Sequence, residues 1–292
     1  MDVETKLELK ITPGAAALGA EVSGIDVSRA VEAPARAALI EAWQKRLVLV
    51  LRGQRIGDAE LLAFSRNFGE LDPPGPNPYG KPYLEEFPEI NVISNVIEQG
   101  VPIGGLGDGE AVWHADMTYI ETPPKAGILY ALEVPPRGGN TYFANMYAAY
   151  DALSGDLKDR IKDRIAIHDA SRNSAGFLRK GYAETTDVRE TLGARHPLVR
   201  VDPDSGRKAL FLGRRRSSYI PGLAVDESEA LLDSLWAHAG EARFAMCHEW
   251  QVGDLLIWNN LSVLHRRDDF DPAARRVMHR TQIKGDWTST PV

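Results

Sequence analysis

Cysteine occurs once in the 292 residues, at Cys247. A single thiol excludes an internal disulfide framework and suits a reducing compartment. The expectation is a cytoplasmic protein. No apolar run approaches the roughly 18 residues of a membrane span, so no membrane partner is expected. The opening stretch MDVETKLELKITPG has no apolar core of the secretory kind, and a signal peptide is not expected. Positive charge is also short. Lys and Arg number 34 against 41 Asp and Glu, a net charge of −7, which argues against a general nucleic-acid binder. Internal repeats, low-complexity tracts and obvious linkers are missing as well. Hydrophobic residues make up 43% and charged residues 26%, the balance of an ordinary globular protein. The length allows a sizeable core, and residues 1–292 read as a single domain.

What is present is mostly short strands. KLELKIT at 6–12 alternates like a strand, and Leu47–Leu51 (LVLVL) reads as a buried strand closed by the turn at 52–54. Helices are expected over Pro34–Lys45 and from Asp58, as the capping residue, through Phe68, with Gly69 ending the second. Asp72–Pro88 is rich in Pro and Gly and should be a long surface loop. From Ile90 onward INVISNV, GILYALEV, NTYFANM, ALFLG, GDLLIWNN and RRVMHRTQI read as strands, interrupted by helical patterns at 145–153 and 228–239. Residues 170–196 are polar and without a clean period; a lid and a solvated insertion are both open. Strand-rich with helical additions suggests a mainly β jelly roll with flanking helices.

Seven histidines are present, and one lies two residues from a carboxylate in an apolar, aromatic setting: VWHADMTY, with His114 and Asp116. In an extended chain, residues i and i+2 point the same way, about 6.6 Å apart at ~3.3 Å per residue, so both side chains can reach one metal ion. Such a triplet also arises by chance, with a structural His beside a surface Asp. The C-terminal segment adds weight. There His265 is followed by a turn and a strand on which Arg276, Met278, Arg280 and Gln282 share one face. Two arginines on an inward face are costly unless each meets an anion. The planar guanidinium fork is suited to gripping a carboxylate. Solvated arginines at a sheet edge are the competing reading.

HADMTY, RGGNTYF and the tail H-x₁₀-R-x₃-R formed by His265, Arg276 and Arg280 resemble the taurine dioxygenase/dichlorophenoxyacetate dioxygenase family. GAEVSGIDVS, LVLVLRGQ, FSRNFGEL and VRVDPDSGRKALFLG do so too, in the same order, from about residue 10 to 285. The resemblance implies a double-stranded β-helix that couples decarboxylation of 2-oxoglutarate to oxidation of an unactivated C–H bond by O₂. It implies Fe(II) on His114, Asp116 and His265, and 2-oxoglutarate held by Arg276 and Thr141. Arg280 matches the arginine for the substrate's acid group, and family habit implies a homo-oligomer, a dimer or tetramer. In the loop GPNPYG, Asn77 stands where a His is expected, with Tyr79 near the expected Tyr; Met117 and Tyr119 can line the pocket on the Asp116 side. Trp258-Asn259-Asn260 departs from the usual Trp-Asp-Asn, in which the Asp either shapes the hydrogen bonding near His265 or supports the fold.

The expected substrate is a small organic acid: an aryloxyalkanoate first, an alkylsulfonate as the alternative. The segments DPDSGRKALFLG and WQVGDLLIWNNLSVLHRR favour the first branch. Rival readings are a non-catalytic jelly roll that binds a metal or acid, and a halogenase, which the presence of Asp116 disfavours. The run Arg214–Arg216 reads as a solvated face or as an active-site or subunit contact. His196 and His248 read as structural.

Overall fold

Stretches of four to eight residues that alternate or run apolar make short strands. In the computed structural model, which describes residues 8–74, 81–107, 111–172, 176–184, 186–203 and 205–286, these strands build two facing sheets and three two-stranded ribbons. Among the described residues, the larger sheet runs Lys10–Pro13, Ala20–Ser23, Val48–Leu51, Leu255–Asn259, Ala126–Glu133, Val277–Ile283, Asn91–Ser94, Gly105–Leu106. Leu71–Asp72 pairs separately with Val277–Ile283. The smaller sheet runs Ala245–His248, Thr141–Asn145, Val263–Arg267, Ala111–His114. Strand partners distant in sequence, wound into two sheets, make the jelly roll expected for this chain.

One core fills the space between the sheets. Phe143 and Val263 from the smaller sheet meet Val48, Leu129, Leu256, Trp258 and Met278 from the larger. A second core lies outside the larger sheet, where Leu39, Trp43, Leu61, Leu62 and Phe64 from two helices cover Leu49, Leu51, Ile128 and Leu255. All of Val48–Leu51 is therefore buried, which explains a continuous apolar run where a half-exposed strand would alternate. At roughly 1.5–3 kcal/mol for each fully buried large apolar side chain, these cores supply the main drive to fold.

The helical expectations hold with shifted ends. The first helix spans Ala33–Arg46, and Leu47 leaves the strand to cap it in the left-handed region, with φ 66°. The second spans Asp58–Ser65 and tightens to a 3₁₀ turn over Arg66–Phe68. Asp58 is not its cap. Gly57 holds that extended position, with its N–H donating to Glu60 Oε2 at 2.9 Å. Asp58 instead meets His279 Nδ1 at 2.6 Å, a partner 221 residues away. Asn145 caps Met146–Asp151 by accepting from the N–H groups of Tyr147 and Ala148. A helix at Gly155–Ile161, capped by Ser154, was not anticipated.

Residues 170–196 are tied down where they are described. The Ala194 N–H donates to the Tyr119 carbonyl at 2.9 Å, and Thr191 Oγ1 donates to the Ser217 carbonyl at 2.8 Å. Among the described residues no helix is long and apolar enough to cross a membrane.

Candidate active site

The first two candidate residues arrive by strand pairing. His114 ends Ala111–His114, His265 lies mid-strand in Val263–Arg267, and the two are cross-strand partners with ring centroids 4.1 Å apart. His265 is boxed by Phe143, 6.2 Å away, and by Trp258 at 5.1 Å. Gly127 makes room for Trp258, since a Cβ there would lie 2.2 Å from the indole.

Asp116 is placed differently from the strand periodicity expected of it. The chain leaves the sheet after His114, and Asp116 opens a turn in which Met117 takes φ 51°. Asn260 holds that departure. Its Oδ1 accepts from the Asp116 N–H at 2.7 Å, and its Nδ2 donates to the carbonyls of Asp116 at 2.9 Å and Pro124 at 2.8 Å. The buried amide thus substitutes for a missing strand. Asn260→Ala strands these backbone groups out of water. With three groups left unsatisfied at about 1–3 kcal/mol each, it should cost at least roughly 3 kcal/mol of stability. A denaturant melt of Asn260→Ala beside Asn259→Ala checks this. An equal, small loss in both would remove the clamp. Asn259, the family departure, accepts from the Leu261 N–H at 3.0 Å and so supports the turn.

Asp116 Oδ1 lies 3.8 Å from His114 Nε2, and Oδ2 lies 3.5 Å from His265 Nε2. One donor atom from each of the three falls within 4.8 Å of the others. The donors fit a metal ion. His114 Nδ1 donates to the Val112 carbonyl at 2.7 Å, which leaves the Nε2 lone pair facing inward. Burial pushes the His265 imidazolium down to about 4, against the pull of Asp116, and lowers that of His114 well below its usual value. Both rings are neutral at pH 7 and offer lone pairs. Burial alone would raise the Asp116 carboxyl, but Arg280 and the neighbouring rings hold it below the usual carboxylate range. Asp116 Oδ2 is sealed from solvent and has no hydrogen-bond partner. Two imidazoles and one carboxylate are the donor set of a facial Fe(II) site with open positions.

The strand Val277–Ile283 faces this centre. Arg280 Nη1 donates to Asp116 Oδ1 at 3.0 Å, and Gln282 Nε2 approaches Met117 Sδ at 3.4 Å. Arg276 precedes the strand and continues the same face. It is 2% exposed, and its guanidinium meets no carboxylate among the described residues. Burial, with Arg267 nearby, brings its pKa down to about 9. The opposite face turns away, with Thr281 on Ser65 and Ile283 in the outer core. Thr141 is buried across from Arg267, and its Oγ1 accepts from Trp250 Nε1 at 2.9 Å. Tyr119 lies beneath Arg179, 3.8 Å from ring centroid to guanidinium. Asn77 and Tyr79 lie outside the described residues.

His196 and His248 are structural as expected. His196 Nε2 lies 2.8 Å from the Thr118 carbonyl and 3.0 Å from that of Ile120. His248 lies 3.0 Å from Asp254 and packs on Trp250. The run Arg214–Arg216 is not one face. Arg215 pairs with Glu229 and Asp233, whereas Arg214 turns toward the histidines and Asp116. The Asn260 clamp was not identified from sequence, and the run Arg214–Arg216 was left open between a solvated face and an active-site or subunit contact. An arginine run reads as surface, and an Asn reaching across 144 positions leaves no local pattern.

A jelly roll whose inner face carries two neutral imidazoles and a carboxylate defines a non-haem iron oxygenase, and the comparisons with known proteins agree. The family model "Taurine catabolism dioxygenase TauD, TfdA family" matches residues 10–282. Pentalenolactone F synthase of Streptomyces arenae is 36% identical, over 94% of this chain and 94% of its own. The alpha-ketoglutarate-dependent 2,4-dichlorophenoxyacetate dioxygenase of Cupriavidus pinatubonensis is 34% identical, over 91% and 94%. The crystal structure of AAD-2 with Mn(II) and N-oxalylglycine superposes with a TM-score of 0.79 at 29% identity, over 97% of this chain and 100% of that one.

The chain belongs to the TauD/TfdA family of dioxygenases. It is a 2-oxoglutarate-dependent enzyme using Fe(II) and O₂, and the reading as a non-catalytic binder falls.

Proposed function

We propose that this dioxygenase hydroxylates a small organic acid, with an aryloxyalkanoate as the leading substrate class, and releases succinate and CO₂. The observation that carries the reading is the buried pair on one strand face: Arg276, without a carboxylate of its own, and Arg280 beside Asp116. In this reading His114, Asp116 and His265 hold Fe(II), which supplies the O₂-dependent oxidation when bound. Arg276 and Thr141 grip the far carboxylate of 2-oxoglutarate. Arg280 keeps Asp116 ionised and oriented and presents its remaining donors to the substrate's acid group. Met117 and Tyr119 line the substrate side, where Arg179 stacks on the Tyr119 ring. The whole chain acts as one dioxygenase domain, assembled as a homo-oligomer.

Hydroxylation of an aryloxyalkanoate next to its ether oxygen gives a hemiacetal, which collapses to a phenol and an oxo acid. An alkylsulfonate would instead yield sulfite and an aldehyde. Phenol release from aryloxyacetates is expected to exceed sulfite release from taurine under identical conditions. Sulfite without phenol would reverse the ranking. Stimulation of decarboxylation by uncharged compounds alone would remove the acid from the reading.

A further inference from the structure

Two arginines reach the metal-site residues, Arg280 through Asp116 and Arg214 through His114, and the roles proposed above employ only Arg280 and the more distant Arg276. Arg214 comes from the loop after the strand Lys208–Leu210. Its backbone is strapped to the metal-binding strand. Arg214 forms an antiparallel bridge with His114, and the Gly213 carbonyl accepts from the Ala115 N–H at 3.1 Å. Gly213 permits this approach: it takes φ 72°, and a Cβ there would lie 2.1 Å from His168 Nδ1.

The Arg214 side chain lacks an anion. One guanidinium nitrogen donates to the Arg172 carbonyl at 2.8 Å, while Nε is sealed from solvent and has no partner. No carboxylate of the described residues comes within the 4.0 Å of an ion pair. Asp169, buried on the same side, turns its Oδ1 to the Ser171 N–H. The bridge to His114 and the 6.0 Å approach of the guanidinium to the Tyr119 ring place Arg214 on the Asp116 side of the metal-binding strand. Burial, with Arg179 adding to it, brings its pKa down to about 10, so it stays charged at neutral pH. A desolvated cation that forms no ion pair is unfavourable unless a ligand brings an anion to it. Arg280 has Asp116, and 2-oxoglutarate is assigned above to Arg276. What remains for Arg214 is the substrate.

We propose that Arg214 is a specificity-determining residue that, together with Arg280, clamps the substrate's acid group on the Asp116 side of the metal and selects acids over their neutral analogues. This rests on the small-acid reading above. Two guanidinium forks meeting one carboxylate or sulfonate from different elements fix both its position and its charge. The clamp also engages residues 170–196. Arg214 bonds the Arg172 carbonyl and lies 6.0 Å from the Tyr119 ring on which Arg179 stacks.

The test uses the full chain with Fe(II), 2-oxoglutarate and O₂, and measures succinate formed with aryloxyacetates and with the matching neutral amides. Arg214→Gln and Arg214→Lys are compared with the wild type, and thermal melts confirm that each is folded. In Arg214→Gln the KM for the acid should rise roughly 10- to 150-fold, far more than that for 2-oxoglutarate, and the preference for acid over amide should flatten. Arg214→Lys should recover part of the preference. Anaerobic calorimetry of the acid binding to each protein should show the same split without turnover. A wild-type acid preference that survives Arg214→Gln would overturn the clamp while leaving the small-acid reading standing. A KM rise confined to 2-oxoglutarate would do the same. A wild type that treats acid and amide alike would sink both.

Discussion

Asp116→Ala is expected to abolish succinate formation and Fe(II) binding together. Asp116 supplies the only carboxylate of the metal cluster, and its Oδ2 has no other partner to occupy it. Loss of a group that merely supports a ligand costs about 10- to 100-fold in metal affinity or activity, so loss of a ligand should exceed that. A second effect compounds the first. Arg280 is bonded to Asp116 Oδ1, and removal of the carboxylate leaves a largely buried guanidinium without its anion. Breaking a buried ion pair by removing one partner typically costs about 3–5 kcal/mol. The variant should therefore melt earlier as well as bind iron poorly. Near wild-type succinate production by folded Asp116→Ala would refute the triad.

Arg276→Ala should raise the KM for 2-oxoglutarate by roughly 10- to 150-fold, since hydrogen bonds to charged groups are worth about 1.5–3 kcal/mol and each 1.4 kcal/mol is tenfold. Its neighbour serves as the control. Arg275 is exposed and paired with Glu133 at 2.6 Å and Glu98 at 3.4 Å, away from the metal face. Arg275→Ala should leave 2-oxoglutarate binding near the wild-type value. The reverse outcome, with Arg275→Ala raising KM and Arg276→Ala not, would show that the strand presents its other face. Thr141→Ala should have a smaller effect, because its hydroxyl is neutral and already accepts from Trp250.

Much of this centre was legible in the sequence, for physical reasons that differ by residue. The two-residue period of a strand sorted Arg276 and Arg280 from Val277 and His279 without any knowledge of packing. LVLVL announced a strand covered on both sides, and the two cores on either side of Val48–Leu51 bear this out. The Asp58 cap failed because a local rule was applied where a tertiary contact wins. Gly57 satisfies the helix end through Glu60, which leaves Asp58 free to meet His279. The His114-Ala115-Asp116 triplet was read as two teeth of one strand, yet Asp116 sits in a turn positioned by Asn260. His114, Asp116 and His265 do come together, but the placement of Asp116 rests on a contact 144 positions away.

By itself the sequence marked the side chains proposed to carry the chemistry: one His-x-Asp triplet, one distal His, two arginines four residues apart and the threonine of GGNTYF. Donor type and spacing along one strand are local properties, and local properties are written in residue order. Only the tertiary structure decided which arginine of the run Arg214–Arg216 enters the centre, which asparagine of the pair Asn259-Asn260 clamps Asp116, and which carboxylate Arg280 meets. Adjacent residues of the same type are indistinguishable until a backbone sends one inward and one outward. That direction is set by partners the chain brings back from far away: His114 for Arg214, and Asp116 for Asn260.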